Sequence, residues 1–321
     1  MLASVHSLTI GVTTALGNSG SIIGPDRSAT PRLELFHAAN SICSQKVRVV
    51  LAHHEMTYLS HTMNIFAGHT YLPSYVRLRL MGCERSGTPL VAEHTGSTSM
   101  SSWGCDPAVV PTLIDRQVDD VIVDSKRICL FIDALVPDSR KLRPSLLQDA
   151  IDAELTIVDG LPNYQMLTGS PVGRDLRPQR LRENDGVKFS MSKVRRCDQY
   201  LNEISPDDEL AQAYQAKRKK ELDAAQHLFS DAAMHAAYAK AASACSLLES
   251  KLKAGKTTWL LGDAVTVADL FWAVELLRMK NLGANQLWEN NKLPAVAKYV
   301  AAAQELPSVQ SAVLAWPDAQ F

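Results

Sequence analysis

The sequence has no apolar run near the roughly 20 residues that span a bilayer, so nothing in it predicts a membrane helix. It has no charge excess either: 33 basic side chains stand against 34 acidic ones. A chain that close to neutral offers no electrostatic case for nucleic acid or an anionic membrane as partner. It has no dense cysteine framework and no Cys-x-x-Cys pair, its six cysteines being scattered from Cys43 to Cys245. That argues against a disulfide-stapled secreted domain and a dithiol redox motif, and favours a reducing cytoplasm. An early basic cluster is missing too, the first basic side chain being Arg27, so neither a secretory nor a transit signal is expected. Residues 1–31, rich in Ser, Thr, Gly and Ala, are expected to form a flexible extension. His53, His54, His61, His69 and His94 match no zinc spacing and are expected to be solvated, with no metal site. The polar stretch 96–102 lacks the Gly-Lys-Ser/Thr ending of a phosphate loop.

What is present reads as two domains, which a chain of this length can hold with separate cores. Residues 32–137 alternate between strand and helix patterns, α/β in class. The strand-like Glu34–Ala39 leads to a helical pattern over Ser44–Glu55, then to strand-like Tyr58–Met63. An irregular insertion over 64–107 is expected to lie across the active-site face. Regularity returns with Val110-Pro111-Thr112, a short hairpin, and a helix opened by Asp124-Ser125 that runs through Ala134. Pro111 inside an apolar strand pattern implies either an edge strand or a cis bond. After a linker at 138–145, residues 146–321 read as an all-helical domain, with 170–196 as a basic loop between helices. Thr266 and Asp269 form a capping-box variant ahead of the apolar run Leu270–Leu277. Lys217–Lys220 is expected to be a solvated helix face.

The chemistry points to the turn at Asn40–Leu51. A strand runs into it and a helix runs out, which places Ser41 and Cys43 at a helix N-terminus. Free N–H groups and the positive end of the helix dipole favour a thiolate there, so a lowered Cys43 pKa is expected, with Lys46 and Arg48 adding positive charge. Lys46 stands where a dithiol motif would carry its second cysteine. A resolving thiol must then come from a small molecule or a distant cysteine. A lone Cys at a helix start is more often structural than catalytic, and Asp124-Ser125 alone is a plain N-cap. Cys83 and Cys105 read as incidental thiols, and Cys129 as a small core residue.

Taken together, Ser41-x-Cys43, Val110-Pro111, Asp124-Ser125 and the Thr266/Asp269 box resemble the glutathione transferase superfamily from residue 32 to the C-terminus. The resemblance implies a thioredoxin-like N-terminal domain followed by a helical glutathione-transferase C-terminal domain, with glutathione as cofactor and a homodimeric state. It implies that the Val110 backbone, exposed by a cis Pro111, holds the cysteinyl part of glutathione. Asp124 and Ser125 would hold its γ-glutamyl end, and Ser41 would ionise its sulfur. Ser41-Ile-Cys43-Ser44 is similar to the motif of zeta-class isomerases. The blocks Glu34–His37, Cys43–Arg48, Tyr75–Leu80, Val109–Leu113, Leu270–Val274 and Trp316-Pro317 are more similar to bacterial glutathione-dependent reductive dehalogenases of chlorinated hydroquinones. The insertion before the proline strand is shared with that branch. What this implies is a cycle in which Cys43 forms a mixed disulfide with glutathione while a halogenated aromatic ring is reduced. A maleyl-type cis–trans isomerase or a thioltransferase is the alternative. Tyr71, Tyr75, Arg77, Arg79 and Trp103 in the insertion are candidate walls of the aromatic pocket.

Overall fold

The computed structural model describes residues 4–28, 30–97, 104–206 and 208–319. Its first elements fall where a flexible extension was expected. Helix α1 (Val5–Leu16) is capped by Ser4, which accepts the Ser7 N–H at 3.1 Å, and ends at Gly17 in the left-handed region. Val5, Leu8 and Val12 share one helical face and are buried, a short amphipathic stripe that the small and polar residues around it conceal. Strand β1 (Ser21–Ile23) follows and pairs antiparallel at the edge of the sheet.

Strand β2 (Leu33–His37), helix α2 (Ile42–His53) and strand β3 (Tyr58–Thr62) form a parallel crossover, with Phe36 beside His61. Residues 64–107 are less irregular than expected. They contain helix α3 (Pro73–Arg85), with proline in its first turn, that packs against α1 and the sheet. Its arginines at 77, 79 and 85 mask its apolar periodicity, although Tyr75, Val76, Leu78 and Arg79 are all buried. Strands β4 (Thr112–Asp115) and β5 (Asp120–Val123) complete a sheet of order β1-β3-β2-β4-β5. The Val110–Pro111 bond is cis. Strand β4 lies between β2 and β5, so the edge-strand explanation for Pro111 falls away.

Helix α4 (Ser125–Ala134) closes the first half. The second half is helical: α5 (Gln148–Asp159), α6 (Asn163–Thr168), α7 (Gln179–Arg182), α8 (Gly186–Leu201), α9 (Glu209–His227), α10 (Asp231–Gly255), α11 (Val267–Asn281), α12 (Pro294–Gln304) and the one-turn α13 (Pro307–Val309). The stretch 170–196, expected as a loop, therefore holds α7 and much of α8. Helix α11 is buried on every side from Val267 to Met279, its charged Asp269, Glu275 and Arg278 included. The Thr266/Asp269 capping box is present, and Asp269 also accepts the Leu260 N–H and the Tyr299 hydroxyl. Because α11 packs against both α2 and α5, it joins the two halves behind the candidate site. No helix among the described residues is long and apolar enough to cross a membrane.

Two expectations about charged side chains fail for one reason, burial with a partner. His54 and His61 are almost fully buried and hydrogen-bond Asp133 and Glu34, at 3.0 and 2.7 Å. Lys217 and Lys220 are likewise inside, both bonded to Asp106. Cys83 and Cys105 are not incidental thiols but a disulfide pair linking α3 to the segment before Pro111.

Candidate active site

Sheet register brings the sequence motifs together. Phe36 pairs with Thr112, and Thr112 pairs with Val123. Residues 37, 111 and 124 thus lie level at one end of three neighbouring strands. From this end β2 runs on to Ser41 and Cys43, the cis turn enters β4, and β5 leads into α4. Asp124 takes a positive φ of 79°, a conformation uncommon outside glycine, and its carboxylate caps the Lys126 N–H at 3.2 Å. Ser125 is buried, and its side chain favours the ionised form of the Cys43 sulfur.

Ser41 is the N-cap of α2, accepting the Ser44 N–H at 3.3 Å, which leaves its own hydroxyl proton available to a bound thiolate. Cys43 sits in the first turn and is half-buried. Its pKa departs from expectation: burial pushes the thiol up to about 11. Lys46 and Ser125 oppose that rise, while Asp124 and Asp159 reinforce it. Desolvation and the two carboxylates therefore outweigh Lys46 and Ser125. Of the two cations credited with activating the sulfur, only Lys46 acts on it. Arg48 turns the other way, donating to the carbonyls of Ala38, Ala39 and Ala312 and stacking on Trp316 at 4.4 Å.

The helical half supplies charges that sequence reading missed. Lys46 Nζ meets Asp159 at 3.1 Å and Glu275 at 3.9 Å. Burial lifts Glu275 to about 7. Arg278 donates to the Asn40 carbonyl at 2.7 Å and to Gln45 Oε1 at 3.2 Å, which places a second cation beside the Cys43 turn. A signal existed: Glu275 and Arg278 interrupt an otherwise apolar helical run.

The pocket-wall candidates fare differently. Tyr75 is buried and its hydroxyl bonds the Val109 carbonyl at 2.8 Å and Thr112 Oγ1 at 3.0 Å. Buried Arg79 donates to the carbonyls of Asp106 and Pro111 and to Thr112 Oγ1. Both brace the cis turn rather than line a pocket. Arg77 pairs with Asp208 and Glu209 ahead of and at the start of α9. Tyr71 is buried at the base of α9, where its carbonyl accepts the Tyr214 hydroxyl. Trp103 lies outside the described residues. No group of three or more His, Cys, Asp or Glu among the described residues is placed to hold a metal ion.

The Glutathione S-transferase, C-terminal domain, model matches residues 211–312. Over 304 residues the chain is 34% identical to 2,5-dichlorohydroquinone reductive dechlorinase from two strains of Sphingobium indicum, covering 93% of this chain and 87% of the relative. The chain belongs to the glutathione transferase superfamily. Among solved structures, the beta-etherase LigF from Sphingobium sp. strain SYK-6 superposes with a TM-score of 0.57 at 14% identity, covering 88% of this chain and 98% of that one. Ure2p in complex with glutathione gives 0.52 at 16% identity, over 89% of this chain and 95% of that one. These likenesses concern the fold, a thioredoxin-like sheet domain followed by the helical domain of the transferases.

The charge environment of this transferase gives a direct test. Alkylation of Cys43 by iodoacetamide, followed by peptide mass mapping, should accelerate with rising pH up to about 11, because only the thiolate reacts. Asp159→Asn should move that profile to lower pH, since it removes one opposing carboxylate and leaves Lys46 less neutralised. An unchanged profile would show that Asp159 does not control the sulfur.

Proposed function

We propose that this transferase is a glutathione-dependent reductive dehalogenase acting on halogenated hydroquinones. The observation that carries the reading is the placement of a single protein thiol, Cys43, between the Ser41 cap and the Ser125 hydroxyl at the converging strand ends. The name of the 34% identical relative supports the substrate class. Glutathione, as co-substrate, fits the residues present. The cis Val110–Pro111 turn offers backbone groups to its cysteinyl part. The N-terminus of α4, with Ser125, suits the γ-glutamyl carboxylate, and the Asp124 carboxylate suits its amino group.

In the proposed cycle the ring tautomerises to an electrophilic dienone. The glutathione sulfur, held as thiolate by the Ser41 hydroxyl, adds to it and chloride leaves. Cys43, once deprotonated, attacks the sulfur of the aryl conjugate. The S–S bond forms as the C–S bond breaks, and the ring carbon keeps the electron pair and takes a proton. A second glutathione thiolate then attacks the mixed disulfide, restoring Cys43 and releasing oxidised glutathione. The sum is one halogen replaced by hydrogen, with two glutathiones oxidised to one disulfide and one hydrogen halide released.

Burial, which pushes the Cys43 thiol up to about 11, favours a second reading, a cis–trans isomerase in which glutathione adds and departs and Cys43 has no redox part. One assay separates them. The protein is incubated with reduced glutathione and a panel of chlorinated hydroquinones while chloride, aryl conjugate and oxidised glutathione are followed together. Reductive dehalogenation gives chloride and oxidised glutathione in equal amounts. Absence of both across the panel would overturn the proposal.

A further inference from the structure

We propose that Lys217 and Lys220 on α9 position the Val110–Pro111 turn for glutathione through Asp106, so that the helical domain sets the affinity of the sheet domain for the tripeptide. The inference rests on the reading of that turn as the glutathione-binding backbone.

The turn is gripped from two sides. From its own domain, the Cys83–Cys105 disulfide anchors the incoming chain to α3. Arg79 Nε holds the Asp106 carbonyl at 3.0 Å, the Tyr75 hydroxyl holds Val109 and Arg79 Nη1 holds Pro111. Val110 thus sits between two residues whose carbonyls are fixed. From the helical domain, Lys217 and Lys220 both reach Asp106 Oδ2, at 2.7 and 2.9 Å. The other carboxylate oxygen of Asp106, Oδ1, accepts the Ala108 N–H at 3.0 Å, inside the same turn. One carboxylate therefore couples α9 to the backbone two residues before Val110.

The arrangement is costly as pure scaffolding. Asp106 is fully buried, and Lys217 and Lys220 are nearly so. Lys217 also pairs with Glu221 at 2.7 Å, and Glu221 with Lys193 at 3.1 Å. Three ammonium groups thus share two carboxylates in the interior. The lysines hold Asp106 well below the usual carboxylate range despite its burial, so the cluster stays charged. Burying ion pairs seldom stabilises more than apolar packing of the same volume, whereas it does fix geometry. A second lysine on Asp106 adds like charge beside Lys217 and is best explained by the orientation it imposes on the turn.

The test measures glutathione affinity of the full-length protein by titration calorimetry, with KM and kcat where turnover is measurable. Lys220→Met removes one of the two lysines and leaves Asp106 paired with Lys217. It is expected to weaken glutathione binding about tenfold and to raise KM more than it lowers kcat. Lys220→Arg, which keeps the charge and donors, should restore affinity to within roughly twofold of wild type. Lys251→Met breaks a different ion pair, with Glu154 away from the turn, and should leave affinity unchanged. The milder Lys220→Gln serves if the Met variant does not fold, and should weaken binding in the same direction. Wild-type affinity in the Lys220→Met or Lys220→Gln variant, or equal weakening by Lys251→Met, overturns the inference alone. Wild type that gives no binding at millimolar glutathione overturns it together with the reading of the turn.

Discussion

Cys43→Ser should consume one glutathione per ring and then stop. The aryl conjugate accumulates, chloride is released once, and oxidised glutathione does not form. Steady-state yield of dehalogenated hydroquinone falls about a thousandfold or more, the scale seen when a covalent nucleophile is removed. The hydroxyl cannot attack sulfur, yet Ser41, Val110 and Ser125 remain to support the first addition. Liquid chromatography of the reaction mixture reads conjugate, product and oxidised glutathione together. Full turnover by the variant would remove Cys43 from the chemistry and leave glutathione alone to reduce the ring.

The largest effect on stability is expected for Arg48→Met. Its guanidinium makes hydrogen bonds at 2.9 to 3.2 Å to the carbonyls of Ala38, Ala39 and Ala312 and to His37 Nδ1, and it lies on the Trp316 ring. These bonds satisfy buried backbone between β2 and α2 and tie the C-terminal segment to both. Methionine fills the volume of the stem and satisfies none of them. A loss of about 3–5 kcal/mol follows, seen as a melting temperature lower by roughly 5–10 °C. Thermal denaturation followed by circular dichroism checks this. A melting temperature within a degree of wild type would mean that water replaces the guanidinium at little cost.

Elements whose pattern depends on apolar periodicity were legible before the structure: β2, α2, β3, the hairpin and α11 all lie close to where alternation or capping puts them. Elements with charged residues on their buried faces were not. Helix α3 reads as an insertion because Arg79, a sequence-polar residue, faces inward to serve backbone carbonyls. Lys217 and Lys220 read as solvated for the same reason, since no local pattern announces a partner as distant as Asp106. At the candidate site the convergence of the chosen residues was legible, and the electrostatics were misread. Ser41, Cys43, Pro111 and Ser125 could be chosen from motif spacing, and the register explains how three strand ends bring them together. The raised Cys43 pKa depends first on burial of the sulfur and then on Asp124 and Asp159, and no spacing rule connects residue 159 to residue 43.

That same burial bears on how long the protein would last in air. Peroxide attacks thiolate, and the first product, a sulfenic acid, leads on to forms that a cell does not readily repair. A thiol pushed up to about 11 offers peroxide little thiolate at neutral pH, so under the proposed cycle an idle molecule would keep its nucleophile. Resistance to oxidative ageing and delayed activation would then be two results of one desolvated side chain.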